Sequence, residues 1–214
     1  MALTLDGILS AAQDLQNRHP ICKIVSDSFS DDIPFEGYDF KDTGDMHNHP
    51  CMIEHSNGGI YIAYTEGYEA DSNRHTSRYL YLYYTDVEKK NWTRIFIYQK
   101  PVTLYNYWLY YPCICELANG NIGIIYAWQA HIEELTGIER IIVDQAGAIV
   151  TAATSIVSKT DWTYGGWVNY PYVIRLANGT YFLVYIKYHE YSYYLCYRTS
   201  SDFITWSAEG TITL

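Results

Sequence analysis

One segment of this chain occurs three times, and no other feature of it constrains the fold as tightly. Pro50-Cys51-Met52-Ile53-Glu54 runs into Asn57-Gly58 and then Ile60-Tyr61-Ile62-Ala63-Tyr64. Pro112-Cys113-Ile114-Cys115-Glu116 runs into Asn119-Gly120 and then Ile122-Gly123-Ile124-Ile125-Tyr126. Pro171-Tyr172-Val173-Ile174-Arg175 runs into Asn178-Gly179 and then Tyr181-Phe182-Leu183-Val184-Tyr185. The three prolines stand 62 and then 59 residues apart, and the Asn-Gly pairs keep the same spacing. Asn-Gly between two apolar runs is a strong hairpin signal, because both turn residues tolerate φ > 0.

Each repeat unfolds into four strands. The first begins at the proline and the Asn-Gly turn leads to the second. A longer polar loop precedes the third (79–84, 140–143, 192–197), and a tight acidic turn precedes the fourth (93–98, 148–151, 205–213). Four antiparallel strands per unit of about 60 residues is the blade pattern of a β-propeller. The fold class expected is therefore all-β, a propeller or partial propeller of about three blades, at about 46–98, 107–157 and 166–214. Ahead of them, residues 1–19 read as a short helix with Ile8, Leu9, Ala12 and Leu15 on one face, a terminal cover or a docking segment. Residues 20–45 read as a strand and a turn-rich connector. Propellers usually close with four or more blades. Three blades leave open edges, so a longer product or an association of copies into a homo-oligomer or larger assembly is expected.

Composition narrows the partners. The formal charge is −10, which argues against a nucleic-acid backbone as partner. No apolar run reaches the roughly 20 residues that a spanning helix needs, so membrane insertion is not expected. The first residues carry no basic and apolar leader, so no signal peptide is expected. The five cysteines, Cys22, Cys51, Cys113, Cys115 and Cys196, are odd in number and form no CxxC pair. Cys51 and Cys113 hold the same repeat position and read as small buried strand residues, and the chain reads as one made in a reducing cytosol.

The strand order puts the loop entering each blade beside the loop joining strands two and three. The entries are 45–49, 105–111 and 164–170. The return loops carry His75 and Arg78, then Trp128, His131 and Glu133, then Tyr188, His189 and Glu190. Five of the seven histidines (His47, His49, His75, His131, His189) and three of the six tryptophans (Trp108, Trp128, Trp167) fall on this one expected face. Aromatic planes beside polar donors suit sugar rings, whose C–H faces stack while their hydroxyls hydrogen-bond. The glycan-binding residues expected are Trp108, Tyr111, Trp128, Trp167, Tyr170, His47, His131 and His189. The same aromatics could instead be packing between blades. His47 and His49 with Asp45 nearby lack a third metal ligand, so neither metal nor cofactor is expected.

Two resemblances add to this. Asp45-x-His47-Asn48-x-Pro50, Tyr111-Pro112, Tyr170-Pro171 and the turn Ser200-Ser201-Asp202-Phe203-Ile204-Thr205-Trp206 resemble the BNR-repeat, sialidase-like propeller family, whose Asp box is Ser-x-Asp-x-Gly-x-Thr-Trp. The box here lacks the glycine and is one residue short. In that family the box is structural. The stretch from Leu9 to Asp14 and the connector Ile33-Pro34-Phe35-Glu36-Gly37 resemble the start of phage-particle proteins. That likeness implies a virion tail or capsid-associated role, reached after cytosolic synthesis, with the helix as the contact to other subunits.

The leading expectation is thus a virion or surface adhesion protein that binds glycan and has no catalytic residues. The alternative is glycan cleavage, with a lyase ahead of a sialidase-like hydrolase. A sialidase would need an arginine triad, and of the arginines only Arg78 and Arg140 are expected near this face. A lyase could draw on His47, Tyr111, Tyr170 and Arg78 as base and anion-stabilising groups. A third reading is a structural shell or tail subunit.

Overall fold

The computed structural model describes residues 48–67, 77–85, 92–99, 107–130, 135–158, 166–189 and 192–212. The expected N-terminal helix and the 20–45 strand and connector lie outside these residues. What is described is all β and forms three four-stranded antiparallel sheets. Blade 1 is β1 (Asn48–Glu54), β2 (Ile60–Gly67), β3 (Ser77–Thr85) and β4 (Trp92–Gln99). Blade 2 is β5 (Tyr107–Glu116), β6 (Ile122–Ala130), β7 (Leu135–Val143) and β8 (Ile149–Ser158). Blade 3 is β9 (Trp167–Arg175), β10 (Tyr181–His189), β11 (Ser192–Ser200) and β12 (Gly210–Ile212). Within each sheet the strands pair in chain order, and β1 packs beside β5 as β5 packs beside β9. This is a partial propeller with the first strand of each blade innermost. Among the described residues no helix is long and apolar enough to cross a membrane.

The three hairpins form at Asn-Gly, but through a different turn from the one expected. Only the glycines, Gly58, Gly120 and Gly179, have positive φ, at 86°, 78° and 86°. In the first hairpin Gly58 N–H donates to His55 O (2.8 Å) and His55 N–H donates to Gly59 O (2.9 Å). The pattern recurs at Leu117 and at Leu176. This is a three-residue loop closed by a left-handed glycine rather than a two-residue loop. The asparagine acts through its side chain. Asn57, Asn119 and Asn178 each accept the N–H two residues on, at 2.8, 3.1 and 2.9 Å. Asp144-Gln145-Ala146-Gly147 builds the same turn between β7 and β8, with Gly147 at φ 88°.

Two apolar clusters hold the blades face to face. Between blades 1 and 2 lie Tyr61, Ala63, Leu80, Leu82, Phe96, Ile114, Ile124 and Ile141. Between blades 2 and 3 lie Cys113, Cys115, Ile125, Ile138, Leu183, Tyr185 and Phe203. Strand β6 lies between both, so it reads as a near-continuous apolar run rather than an alternation. Each fully buried Leu or Ile here contributes about 1.5–3 kcal/mol. On blade 3, the side away from blade 2 carries Ile174, Phe182, Val184, Leu195 and Tyr197 at the register positions that blade 2 fills with Cys115, Gly123, Ile125, Ile138 and Arg140. Ile174, Val184, Leu195 and Tyr197 keep partial exposure, whereas Cys115, Ile125 and Ile138 are buried.

The Asp-box-like turn closes blade 3. Asp202 Oδ1 accepts from Thr205 N–H (2.7 Å), Ile204 N–H (2.8 Å) and the Ser200 hydroxyl (2.9 Å). Phe203 takes the left-handed backbone (φ 63°) in the absence of the motif's glycine, and its ring is fully buried against Tyr181 and Trp206. Of the strand expected at 205–213, Gly210–Ile212 forms; before it the Ser207 N–H donates to Thr199 O (2.9 Å), and residue 213 lies outside the described residues.

The turn predicts an acid response. The Thr205 and Ile204 N–H groups, then the Ser200 hydroxyl, hold the Asp202 carboxyl below its ordinary range. A depressed folded-state pKa stabilises above the unfolded value, near 3.9 for Asp. That contribution is lost as pH falls through the folded-state value. Asp202→Asn is expected to be less stable than the parent at neutral pH, with the gap closing below about pH 4. Denaturant midpoints across that range measure it. A gap that does not change with pH would exclude the carboxylate as the cause.

Candidate functional site

The site is built at the bulge that each first strand forms around its proline. Register slips between Asn48 and Cys51, between Tyr110 and Cys113, and between Asn169 and Tyr172, whose β10 partners are Ile186 and Val184. In each case an X-Pro pair, His49-Pro50, Tyr111-Pro112 or Tyr170-Pro171, faces one tyrosine of strand two: Tyr64, Tyr126 or Tyr185. Proline suits a bulge because it has no N–H to give the ladder. Tyr111 and Tyr170 both have positive φ, at 48° and 54°. For a bulky side chain this costs on the order of 1–3 kcal/mol each, and such strain gathers at functional positions.

The strain brings the two tyrosines together across the blade boundary. Their ring centroids are 4.3 Å apart. Tyr170 continues to Trp167 (6.2 Å), which stacks on Tyr188 (6.0 Å, 22° between planes) and meets Tyr193 edge-on (5.9 Å). Trp167, Tyr188 and Tyr193 are cross-strand neighbours at the entry end of β9, β10 and β11. Tyr170 is 46% exposed and Tyr193 69%. The result is an aromatic platform that begins at the innermost strands and runs outward along blade 3. Asn169 Oδ1 accepts the Tyr170 N–H (3.0 Å) within the bulge.

Burial, then the hydrogen bond and charge of Tyr170, push the Tyr111 phenol well above its ordinary range. Burial, then Tyr111, does the same to Tyr110. Both stay protonated at neutral pH. They can donate hydrogen bonds to a hydroxyl or carboxylate, but they are poor general bases. The carboxylates of Glu54, Glu116, Asp144 and Asp202 lie at the opposite, hairpin end of the strands. Glu139 is buried mid-strand and accepts the Tyr126 hydroxyl (2.6 Å). Among the described residues no group of three or more His, Cys, Asp or Glu could hold a metal ion.

Of the residues expected from sequence, Tyr111, Trp167 and Tyr170 come together. His189 ends β10 beside Tyr188, opposite Ser192. Trp128 lies apart: it packs on the blade 1–2 cluster, over Gly137, where an added Cβ would come within 2.6 Å of its indole nitrogen. Arg140 is 4% exposed and lies mid-strand in β7, not at the entry face. Burial lowers its pKa while the Asp202 charge opposes that. His47 and His131, with Asp45, lie outside the described residues. Arg78, Trp108 and His49 are placed only as strand positions. Tyr193 was missed by sequence reasoning; its signal was cross-strand register with Trp167, which needs the sheet.

The fold and this platform define a partial, sialidase-like β-propeller. No family model and no curated protein matches the chain. Solved structures do. A Hadza microbial sialidase aligns at TM-score 0.60 and 11% identity, over 75% of this chain and 36% of that one. A sucrose-6-phosphate hydrolase from Lactobacillus gasseri aligns at 0.53 and 13%, over 78% and 34%. An endo-arabinase from Bacteroides thetaiotaomicron aligns at 0.52 and 12%, over 77% and 61%. The chain therefore spans from about a third to three fifths of the structures it resembles, and the likeness is one of fold.

Proposed function

We propose that this chain acts on carbohydrate, and that the platform Tyr111–Tyr170–Trp167–Tyr188–Tyr193 holds the sugar in a glycan-cleaving propeller. The observation that carries the reading is the pair of strained tyrosines meeting at 4.3 Å and opening onto exposed aromatic rings. The fold neighbours support the enzymatic side, since their names denote a sialidase, an arabinase and a sugar-phosphate hydrolase. The open, apolar side of blade 3 supports a ring completed by further blade-like sheet.

A non-catalytic adhesin is the second reading. It is favoured by the high pKa of Tyr111, which works against a phenolate base in a lyase. A virion role rests on the N-terminal likeness alone, in residues 9–37.

One experiment separates these readings. The chain is titrated against a panel of plant and bacterial surface polysaccharides, and each ligand it binds is assayed for new reducing ends and for the ultraviolet absorbance of unsaturated uronates. Reducing ends with absorbance indicate elimination, reducing ends alone indicate hydrolysis, and neither indicates an adhesin. Trp167→Ala is expected to weaken binding about tenfold or more, from loss of roughly 1.5–3 kcal/mol of buried ring. Tyr170→Gly is expected to weaken it too while changing stability little, because glycine takes φ 54° without strain. Unchanged affinity in both variants would refute the platform.

A further inference from the structure

Cys51 and Cys113 hold the same position in the first and second repeats, and the fold sets them face to face across the blade boundary. Their sulfurs are 3.8 Å apart. Cys51 Sγ accepts the Ile114 N–H (3.4 Å), and Cys113 Sγ accepts the Val173 N–H (3.4 Å). The two thiols thus sit where β1, β5 and β9 run side by side, and Cys51 packs against both apolar clusters. Both are free thiols. They differ in access: Cys51 keeps partial exposure, whereas Cys113 is buried at 3%.

We propose that Cys51 and Cys113 are an oxidation site, in which a small-molecule disulfide converts the pair into a covalent bond between blades 1 and 2. The Cys51 thiolate attacks one sulfur of the external disulfide, whose S–S bond breaks and releases one thiol. Cys113 then gives up its proton and attacks Cys51 Sγ, displacing the second small thiol. Two protein thiols are oxidised, one external disulfide is reduced, and the two protons leave on the two released thiols. The roles follow from the surroundings. The Cys113 thiol and the Ile114 N–H lower the pKa of Cys51, while its bond to Cys51 and burial raise that of Cys113 well above the ordinary value. Cys51 is the attacking sulfur and Cys113 the resolving one. The sulfurs must close from 3.8 Å to about 2.05 Å for the bond to form. Cys115 is buried with its pKa raised to about 12, and Cys196 is buried and raised as well, so neither competes.

The full chain, reduced and then incubated with oxidised glutathione, tests this by intact mass and peptide mapping. The expected product has lost two hydrogens and carries a Cys51–Cys113 cross-link, with a raised thermal midpoint. Cys113→Ser is expected to stop at a stable glutathione adduct on Cys51. Cys51→Ser is expected to slow all modification about tenfold or more. If either variant fails to fold, mapping of the parent chain still decides. A cross-link from Cys51 to Cys22, Cys115 or Cys196 would overturn the proposal. So would a lasting glutathione adduct on Cys51 of the parent, or no reaction under conditions in which the denatured chain reacts.

Discussion

Phe203→Ala is expected to cost about 3–5 kcal/mol, the range for deleting a buried phenylalanine. The ring is fully buried, meets Tyr181 edge-on at 5.2 Å and Trp206 at 5.5 Å, and belongs to the cluster that joins blades 2 and 3. Its site on blade 2 is made by a glycine: a Cβ on Gly123 would lie 2.4 Å from the ring. The backbone adds a second signature. Alanine at φ 63° keeps the left-handed penalty of about 1–2 kcal/mol, and glycine does not. Phe203→Gly is therefore expected to be at least as stable as Phe203→Ala, the reverse of the usual order in regular structure. Denaturant unfolding of both variants measures this. A loss under 1 kcal/mol for alanine would mean the ring does not lock the two blades.

The second large effect is expected at Gly147, where β7 turns into β8. It has φ 88°, and a Cβ there would lie 1.9 Å from the carbonyl oxygen of Ile95 in blade 1. Alanine must take an unfavourable backbone and also push the turn off a neighbouring strand. Asp144 resists that shift, since its Oδ1 accepts both Ala146 N–H (2.9 Å) and Ala148 N–H (2.8 Å). The backbone term alone is about 1–2 kcal/mol. The overlap should bring the loss to about 2–4 kcal/mol, within the range of overpacking. Gly179, also left-handed at φ 86°, has nothing within 4 Å of a Cβ and serves as the control. Gly179→Ala should show the backbone cost only. Equal losses at both positions would remove the blade contact from the account.

The repeats made the four-stranded units and the class of fold legible, because the prolines and Asn-Gly pairs mark strand starts and hairpins on a fixed period. The turn type was not legible. Asn-Gly permits both loop lengths, and the longer one wins because the asparagine side chain caps the N–H two residues on. Tyr111, Trp167 and Tyr170 could be placed at one end from strand order alone. Trp128 could not be told from them: its partner is the hole over Gly137, which exists only once β6 and β7 are in register. Arg140 misled for a related reason. Nothing local shows that a charged residue mid-strand will be covered by the next blade. The strain at Tyr111 and Tyr170 was invisible too, since an X-Pro pair in a strand does not announce a bulge.

The proline bulge also separates two kinds of position within a single strand. The tyrosine opposite it and the residues after it are tied to the core, as Tyr126 and Tyr185, both fully buried, illustrate. The residue before the proline differs between repeats: the chain carries His49 in one and Tyr111 and Tyr170 in the others. Each bulge is thus an interchangeable socket on a fixed mount. Diversifying positions 111 and 170 while keeping Pro112 and Pro171 offers a route to altered ligand preference that leaves the folding problem already solved.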